Sequence, residues 1–254
     1  MSLELKNVTM RFGGLTAVGD LSAGIGPTDL VGLIGPNGAG KTTVFNAITG
    51  VYSPTEGQVV FNGQVLNGKK PNQISRCGIA RTFQNIRLFN GLTVYDNIRV
   101  SLTPRAKFKA AGSVLRSGGF YREEKSVEKR IEELLEIFKL NDMSDEMATS
   151  LPYGDQRRLE IVRALATDPK LLLLDEPAAG MNPAEKQNLM KLIQYLREQF
   201  KIAILLIEHD MKLVMGICER VLVLDYGLKI AEGTPHEISS NPRVIEAYLG
   251  EVKE

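Results

Sequence analysis

The residues with the clearest chemistry lie in the stretch GPNGAGKT, Gly35–Thr42, which has the spacing G-x-x-x-x-G-K-[ST]. It follows the apolar run LVGLI and precedes a helical pattern, the context in which this spacing forms a phosphate-binding loop. Backbone N–H groups of such a loop face a polyphosphate, and the next helix adds its positive N-terminal end. We predict that Lys41 neutralises the β- and γ-phosphates and that Thr42 ligates Mg²⁺. A glycine-rich turn that matches by chance is the alternative.

Two further apolar runs end in ionisable side chains. LLLLDEP places Asp175 and Glu176 after four leucines, a pattern typical of a strand that is buried on both faces. One carboxylate suits Mg²⁺, and the next can polarise an attacking water as a general base. The apolar run in IAILLIEHD is followed by Glu208, His209 and Asp210, so His209 lies between two acidic residues. Because the carboxyl ends of parallel strands share one edge of a sheet, we expect His209 to approach the γ-phosphate held near Lys41. Solvated strand ends and a structural histidine are the alternatives.

Periodicity predicts the elements that position these groups. Residues 3–33 have the short runs and glycine-rich turns of β-strands, and residues 42–50 have the pattern of a helix that ends at Gly50. Strand–helix alternation resumes at Lys170 and continues to about Leu224.

The block between these parts, from about Leu92 to Ala166, is predicted to be helical and inserted. In EEKSVEKRIEELLEIFKL, helical spacing places five apolar side chains on one face: Val127, Ile131, Leu134, Leu135 and Phe138. The basic stretch 104–119, which contains glycine and serine, is predicted to be a solvated loop.

Composition limits the function classes. The chain has 254 residues, of which 43% are hydrophobic, and a formal net charge of +1. This charge gives no support for nucleic-acid binding, so no nucleic-acid partner is expected. The N-terminal stretch lacks the pattern of a signal peptide, and no apolar run reaches the length of a membrane span, so we expect a soluble chain. The residues thus favour a Mg²⁺-dependent nucleoside triphosphatase, although a small kinase would share the phosphate loop.

The order of the motifs resembles the ATP-binding subunit of an ABC transporter across nearly the whole chain. The resemblance implies an α/β fold, namely a RecA-like P-loop NTPase core with an N-terminal antiparallel β subdomain and an inserted α-helical subdomain. It implies one ABC ATPase domain over residues 1–250, with the core at 1–91 and 167–250 and the helical subdomain at 92–166.

Individual residues match the motifs of this family. Phe12 lies where an aromatic side chain stacks on adenine, and Gln84 in RTFQN lies at the glutamine that contacts Mg²⁺ or the attacking water. Asp175 and Glu176 match the cation-binding aspartate and the catalytic glutamate, and His209 matches the switch histidine. The ATP-binding residues expected in the loop region are Gly35, Pro36, Asn37, Gly38, Ala39, Gly40, Lys41, Thr42 and Thr43. Mg²⁺ ligation is assigned to Thr42, Gln84 and Asp175, and catalysis to Glu176, His209, Gln84 and Lys41.

The stretch LPYGDQRRLE, Leu151–Glu160, resembles the family's LSGGQ signature but departs from it. Pro152 replaces the serine whose hydroxyl would bind phosphate, and Asp155 replaces the glutamine. Tyr153 and Gly154 keep their backbone N–H groups, so we expect Tyr153, Gly154 and Asp155 to face the nucleotide of a partner subunit at a helix N-terminus. We expect Arg157 and Arg158 to offset the charge of Asp155.

A second departure lies in AAGMNP, Ala178–Pro183, which matches the family's D-loop. The family usually has aspartate where this chain has Asn182. Asparagine keeps the hydrogen-bonding shape and loses the charge, which affects the expected coupling between subunits.

Several stretches narrow the resemblance to the subfamily that imports branched-chain amino acids: RFGGLTAV, GPNGAGKTTVFNAITG, ARTFQNIRLFNGLTVYDNI, AAGMNP and GTPHEI. That subfamily includes urea and amide importers, and cassettes that extract lipopolysaccharide are close relatives. The resemblance implies a second ABC ATPase subunit, identical or paralogous, and two integral-membrane permease subunits. An extracytoplasmic substrate-binding protein would act indirectly. The chain would lie at the cytoplasmic face of the cell membrane, held there by the permeases.

Three other functions remain open from the sequence. A soluble ABC ATPase of translation or DNA maintenance usually carries two cassettes or a long coiled coil, neither of which fits this chain. A P-loop kinase or transferase is disfavoured by Gln84 and Glu176. A non-hydrolysing regulatory subunit is disfavoured by the intact Lys41, Asp175 and His209.

Overall fold

The computed structural model describes residues 2–102 and 118–249, and these form two compact units. The first unit comprises the described parts of 1–84 and 170–254, and the second comprises those of 85–169. The predicted basic loop 104–119 lies outside the described residues, except for its last two positions, which begin a helix.

Two sheets form the framework of the first unit. Their strands are β1 Leu3–Phe12, β2 Leu15–Ile25, β3 Leu30–Ile34, β4 Glu56–Phe61, β5 Gln64–Val65, β6 Ile79–Arg81, β7 Leu171–Asp175, β8 Ala203–Ile207, β9 Arg220–Asp225 and β10 Leu228–Gly233. The smaller sheet has four strands in the order β2–β1–β4–β5 and is antiparallel. The larger sheet has six strands in the order β10–β9–β3–β8–β7–β6.

The larger sheet is parallel from β6 to β9, and only its edge strand β10 is antiparallel. Its central strands β3, β7 and β8 are buried at every position, as apolar runs covered on both faces require. The register pairs Asp175 with Ile207 and Leu33 with Ile207, so β3, β7 and β8 end at the same edge. The polar residues that follow these strands therefore meet there.

The helices of the first unit connect these strands. They are α1 Lys41–Ile48, α2 Pro71–Arg76, α6 Pro183–Phe200, α7 Met211–Ile217, α8 Pro235–Ser239 and α9 Pro242–Leu249. The predicted helix at 42–50 corresponds to α1, which ends at Ile48 before Gly50 adopts a positive φ of 71°. Phe45 and Ile48 of α1 are fully buried and belong to a core cluster shared with both sheets.

The second unit is helical, with α3 Val94–Leu102, α4 Gly118–Phe138, α5 Tyr153–Ala166 and two short 3-10 helices, Asn141–Met143 and Ala148–Ser150. The predicted apolar face of α4 is observed, because Ile131, Leu134, Leu135 and Phe138 are buried, while Val127 is half-buried. The unit begins at Asn85 and ends at Pro169, so it extends beyond the range 92–166 assigned from sequence. The added residues are held by hydrogen bonds to α5, described below.

Candidate functional site

The phosphate loop follows β3 and continues into α1. A Cβ at Gly35 would lie 2.0 Å from the Leu224 carbonyl oxygen, and one at Gly40 would lie 2.5 Å from the Ala17 carbonyl oxygen. Both glycines have positive φ, so only glycine fits this path. Gly40 caps α1 without a side-chain hydrogen bond, and no acidic residue lies in the first turn. The first N–H groups of α1 are therefore available to an anion, which fits a bound polyphosphate.

Lys41 is the basic residue of this loop, and it is 6% exposed. Its Nζ donates hydrogen bonds to the carbonyl oxygens of Gly35 at 2.6 Å and Pro36 at 2.8 Å. Burial lowers the pKa of Lys41, while Glu176 and Asp175 act in the opposite direction. Thr42 directly follows Lys41 at the start of α1 and is exposed.

Asp175 ends β7 and is 4% exposed. Its Oδ2 accepts a hydrogen bond from Nη2 of Arg81 at 2.7 Å, and its backbone N–H donates to Oγ1 of Thr82 at 3.3 Å. The predicted cation ligand is thus held by the strand that leads to Gln84. A carboxylate, a hydroxyl such as that of Thr42 and an amide oxygen such as that of Gln84 are donor types that suit Mg²⁺ together with phosphate oxygens.

Glu176 contacts two of the other side chains predicted to act in hydrolysis. Its Oε2 accepts from Nε2 of Gln84 at 2.9 Å, and its Oε1 lies 2.5 Å from Nε2 of His209. The Glu176 backbone has a φ of 48°, a left-handed conformation that is costly for a residue with a side chain. Its N–H donates to the Ile207 carbonyl oxygen at 2.9 Å, which fixes this turn on β8. Two side chains that follow other strands, Gln84 after β6 and His209 after β8, therefore meet at the carboxylate that follows β7.

Glu208, between β8 and His209, is a further buried carboxylate, 4% exposed. Its Oε1 accepts from the N–H of Ala178 at 2.7 Å, and its Oε2 accepts from the N–H of His209 at 3.2 Å. Burial raises the pKa of Glu208, and these backbone hydrogen bonds oppose the shift. Glu208 therefore links Ala178, the first residue of the stretch predicted to be the D-loop, to His209.

Asn182 of the D-loop is the N-cap of α6. Its Oδ1 accepts from the N–H groups of Ala184 and Glu185, both at 3.0 Å, and the Glu185 carboxylate accepts from the Asn182 N–H at 2.8 Å. This reciprocal pattern is a capping box, followed by Pro183 at the first helical position. The asparagine that departs from the family pattern thus has a structural role in this chain.

Phe12 lies at the end of β1 and is 41% exposed, as a residue that stacks on a base must be. Its ring packs edge-to-face against Tyr52, with centroids 5.1 Å apart and an interplanar angle of 75°. Tyr52 is also half-exposed.

The signature residues lie in the second unit, at the start of α5. Pro152 is the N-cap of α5 and accepts from the N–H groups of Asp155 and Gln156 through its carbonyl oxygen. It precedes the first helical position, which is Tyr153. The buried carboxylate of Asp155 forms an ion pair with Arg158.

Arg157 is fully buried within α5 and is paired with Glu160 at 2.7 Å. The other oxygen of Glu160 accepts from the N–H of Arg87 at 3.2 Å. Arg163 donates to the Arg87 carbonyl oxygen, and its guanidinium lies 4.5 Å from the ring centroid of Phe89. These contacts bind residues 87–89 to the signature helix, which is why the second unit begins before residue 92.

Comparison with known proteins identifies the family. Residues 18–179 match the ABC transporter family, and residues 229–254 match the family described as branched-chain amino acid ATP-binding cassette transporter. The chain is 47% identical over 249 residues to the high-affinity branched-chain amino acid transport ATP-binding protein LivG of Escherichia coli (strain K12), which covers 98% of each chain. The chain belongs to the ABC transporter family. The resemblance seen in the sequence is thereby confirmed, and the ABC ATPase domain binds ATP.

Solved structures of ABC cassettes have the same fold. The ADP conformation of MJ1267, an ATP-binding cassette of an ABC transporter, is 32% identical, with a TM-score of 0.84 and coverage of 98% of this chain and 99% of that chain. A dimeric post-hydrolysis structure of the ATP-binding cassette MJ0796 with ADP and Pi is 26% identical, with a TM-score of 0.77 and coverage of 92% and 98%. The predicted fold class is confirmed. Within the described ranges, no helix combines the length and apolarity needed to cross a membrane.

The sequence assigned no role to three residues of this site: Arg81, Glu208 and Tyr52. Arg81 lies three positions before Gln84, and Glu208 lies directly before His209, so proximity to assigned residues was the available signal. Tyr52 has no such signal, because it meets Phe12 only through the packing of the antiparallel sheet on α1.

Proposed function

We propose that this chain is the ATP-binding and hydrolysing subunit of an importer for branched-chain amino acids. The observation that carries the hydrolytic part of the proposal is the meeting of Gln84 and His209 at Glu176, whose charge also acts on Lys41. Phosphoryl transfer needs mainly positioning and charge stabilisation, and this arrangement offers a base, a water-orienting amide and a switch side chain.

In this proposal Glu176 accepts a proton from the attacking water, and Gln84 and His209 hold its two carboxylate oxygens in place. Lys41 and the first N–H groups of α1 stabilise charge on the phosphates. Phe12 stacks on the base, and Tyr52 supports its ring. For Lys41 to act, its Nζ must exchange the carbonyl oxygens of Gly35 and Pro36 for phosphate oxygens.

Mg²⁺ is proposed to bind through Thr42 and Asp175, with Gln84 as a further oxygen donor. When bound, the cation neutralises charge on the phosphate oxygens.

A second cassette, identical or paralogous, is proposed to complete each site with its Tyr153, Gly154 and Asp155. Pro152 offers no hydroxyl, so binding there would rest on the N–H groups of the first turn and the helix dipole. The ion pair between Asp155 and Arg158 reduces the repulsion that the carboxylate would exert on phosphate. Two permease subunits would hold the pair at the cytoplasmic face of the membrane, and a binding protein would deliver the substrate outside.

The similarity to LivG and the match over residues 229–254 favour branched-chain amino acids over urea, amides or lipopolysaccharide. The test is reconstitution of the chain with its two permeases and binding protein in proteoliposomes. We expect ATP-dependent uptake of labelled leucine, isoleucine or valine that is lost with Lys41→Ala. Uptake of urea or an amide instead would refute the substrate assignment, and failure to copurify with any permease would refute the transport assignment.

A further inference from the structure

Arg81 connects three elements of the candidate site. It ends β6, and its side chain is 8% exposed. Nη2 donates to Oδ2 of Asp175 at 2.7 Å, and Nη1 donates to Oδ1 of Asn46 in α1 at 2.8 Å. The guanidinium carbon also lies 5.4 Å from the ring centroid of Phe45 and 5.1 Å from that of Phe83. These hydrogen bonds and the two aromatic rings thus fix the orientation of the guanidinium.

The ion pair engages only one oxygen of the Asp175 carboxylate. Oδ2 is bound by Arg81, whereas Oδ1 receives no hydrogen bond from the residues that the structure describes. The backbone N–H of Asp175 is itself bonded to Thr82, the neighbour of Arg81. The carboxylate is therefore held on one side and has one oxygen left for another positive charge.

We propose that Arg81 is a positioning residue for Mg²⁺: it orients Asp175 so that Oδ1 is free to ligate the cation. The hydrogen bond to Asn46 ties this orientation to α1, whose first turn carries Thr42. This inference rests on the proposed function, because it takes Asp175 and Thr42 as the groups that hold Mg²⁺.

Two effects of Arg81 oppose each other. Its positive charge repels a cation, whereas its hydrogen bond keeps the Asp175 carboxylate correctly oriented. Residues that orient metal ligands typically change metal affinity by about 10–100-fold when they are replaced. Because Asp175 is 5% exposed in its side chain, its carboxylate has little water to replace Arg81, and the orienting effect dominates.

The experiment measures how Mg²⁺ changes binding of the nonhydrolysable fluorescent analogue mant-AMP-PNP to the full chain. Parent, Arg81→Gln and Arg81→Lys are titrated with MgCl₂ at fixed nucleotide and are also measured in EDTA. We expect Arg81→Gln to raise the Mg²⁺ concentration for half-maximal enhancement about 10–100-fold and to leave binding in EDTA unchanged. Arg81→Lys keeps the charge and one donor, so a smaller increase is expected.

The matched control is Arg197→Gln, which breaks a different arginine–carboxylate ion pair, to Glu219 at 2.5 Å. The Arg197 side chain is 21% exposed. Its Mg²⁺ dependence should equal that of the parent. The inference would be overturned if the parent and both Arg81 variants had the same Mg²⁺ dependence. It would also be overturned if the Arg81 variants lost nucleotide binding equally with and without Mg²⁺, because that result indicates a purely structural role. If Arg81→Gln does not fold, Arg81→Lys decides between these outcomes. A parent chain that binds mant-AMP-PNP without any Mg²⁺ enhancement would instead refute the proposed cation site.

Discussion

Replacement of Glu176 by glutamine isolates its chemistry from its packing. The amide oxygen of the new side chain can accept from Nε2 of Gln84, and its NH₂ group can donate to a ring nitrogen of His209, so both contacts of the carboxylate have a substitute. The left-handed backbone at this position does not depend on which of the two side chains is present. We therefore expect the free energy of unfolding to change by less than about 1 kcal/mol, the net worth of one hydrogen bond.

The effect on hydrolysis should be much larger. Loss of a general base typically lowers the rate about 10²–10⁴-fold, which corresponds to roughly 3–5 kcal/mol in the activation free energy. Nucleotide binding should persist, because the phosphate loop and Lys41 are unchanged, and the closed dimer should accumulate with ATP.

The assay combines phosphate release by the assembled transporter, mant-ATP binding and sedimentation of the chain with ATP. Glu198→Gln is the matched control, since it makes the same chemical change at an exposed position of α6, and it should behave like the parent. Hydrolysis by Glu176→Gln at the parental rate would refute the assignment of the base. A collapse of both stability and nucleotide binding would show instead that the carboxylate is needed for the local structure.

Three further predictions concern groups around this site. Pro152→Ser should raise ATP turnover of the assembled transporter by less than about tenfold, since one hydrogen bond contributes a net 0.5–1.5 kcal/mol; a rise from near zero to robust turnover would show a degraded signature. Asn182→Ala should lower the free energy of unfolding in urea by about 1 kcal/mol through loss of the α6 cap, whereas Asn182→Asp should keep it; equal stability of both variants would contradict this role. Burial raises the pKa of Glu208 above its usual 4.5, so its proton stabilises the fold below pH 4.5 and this contribution is lost as pH rises through the raised pKa. As the pH rises from 4.5 to neutral, the free energy of unfolding of Glu208→Gln, measured in urea titrations, should therefore increase relative to that of the parent. A constant difference between the two proteins over this pH range would contradict the prediction.

Local patterns predicted the elements and the identity of most candidate groups. The phosphate loop could be predicted because its glycines and Lys41 lie close together in the sequence. The apolar face of α4 could be predicted because apolar residues recur there at helical spacing. The expectation that Arg157 and Arg158 both offset Asp155 is only partly matched. Arg158 forms that pair, whereas Arg157 lies in the interior with Glu160, since successive residues of a helix point in different directions.

Local sequence patterns were sufficient to predict a phosphate loop, two adjacent carboxylates after a buried strand and a histidine after another strand. Which of these side chains contact one another depends on the fold. Gln84 and Glu176 are 92 positions apart, and Arg81 and Asp175 are 94 apart, yet both pairs are in hydrogen-bond contact. They meet because the register of the parallel sheet aligns the ends of β6, β7 and β8 at one edge. No local pattern in the chain encodes which strands pair in this way.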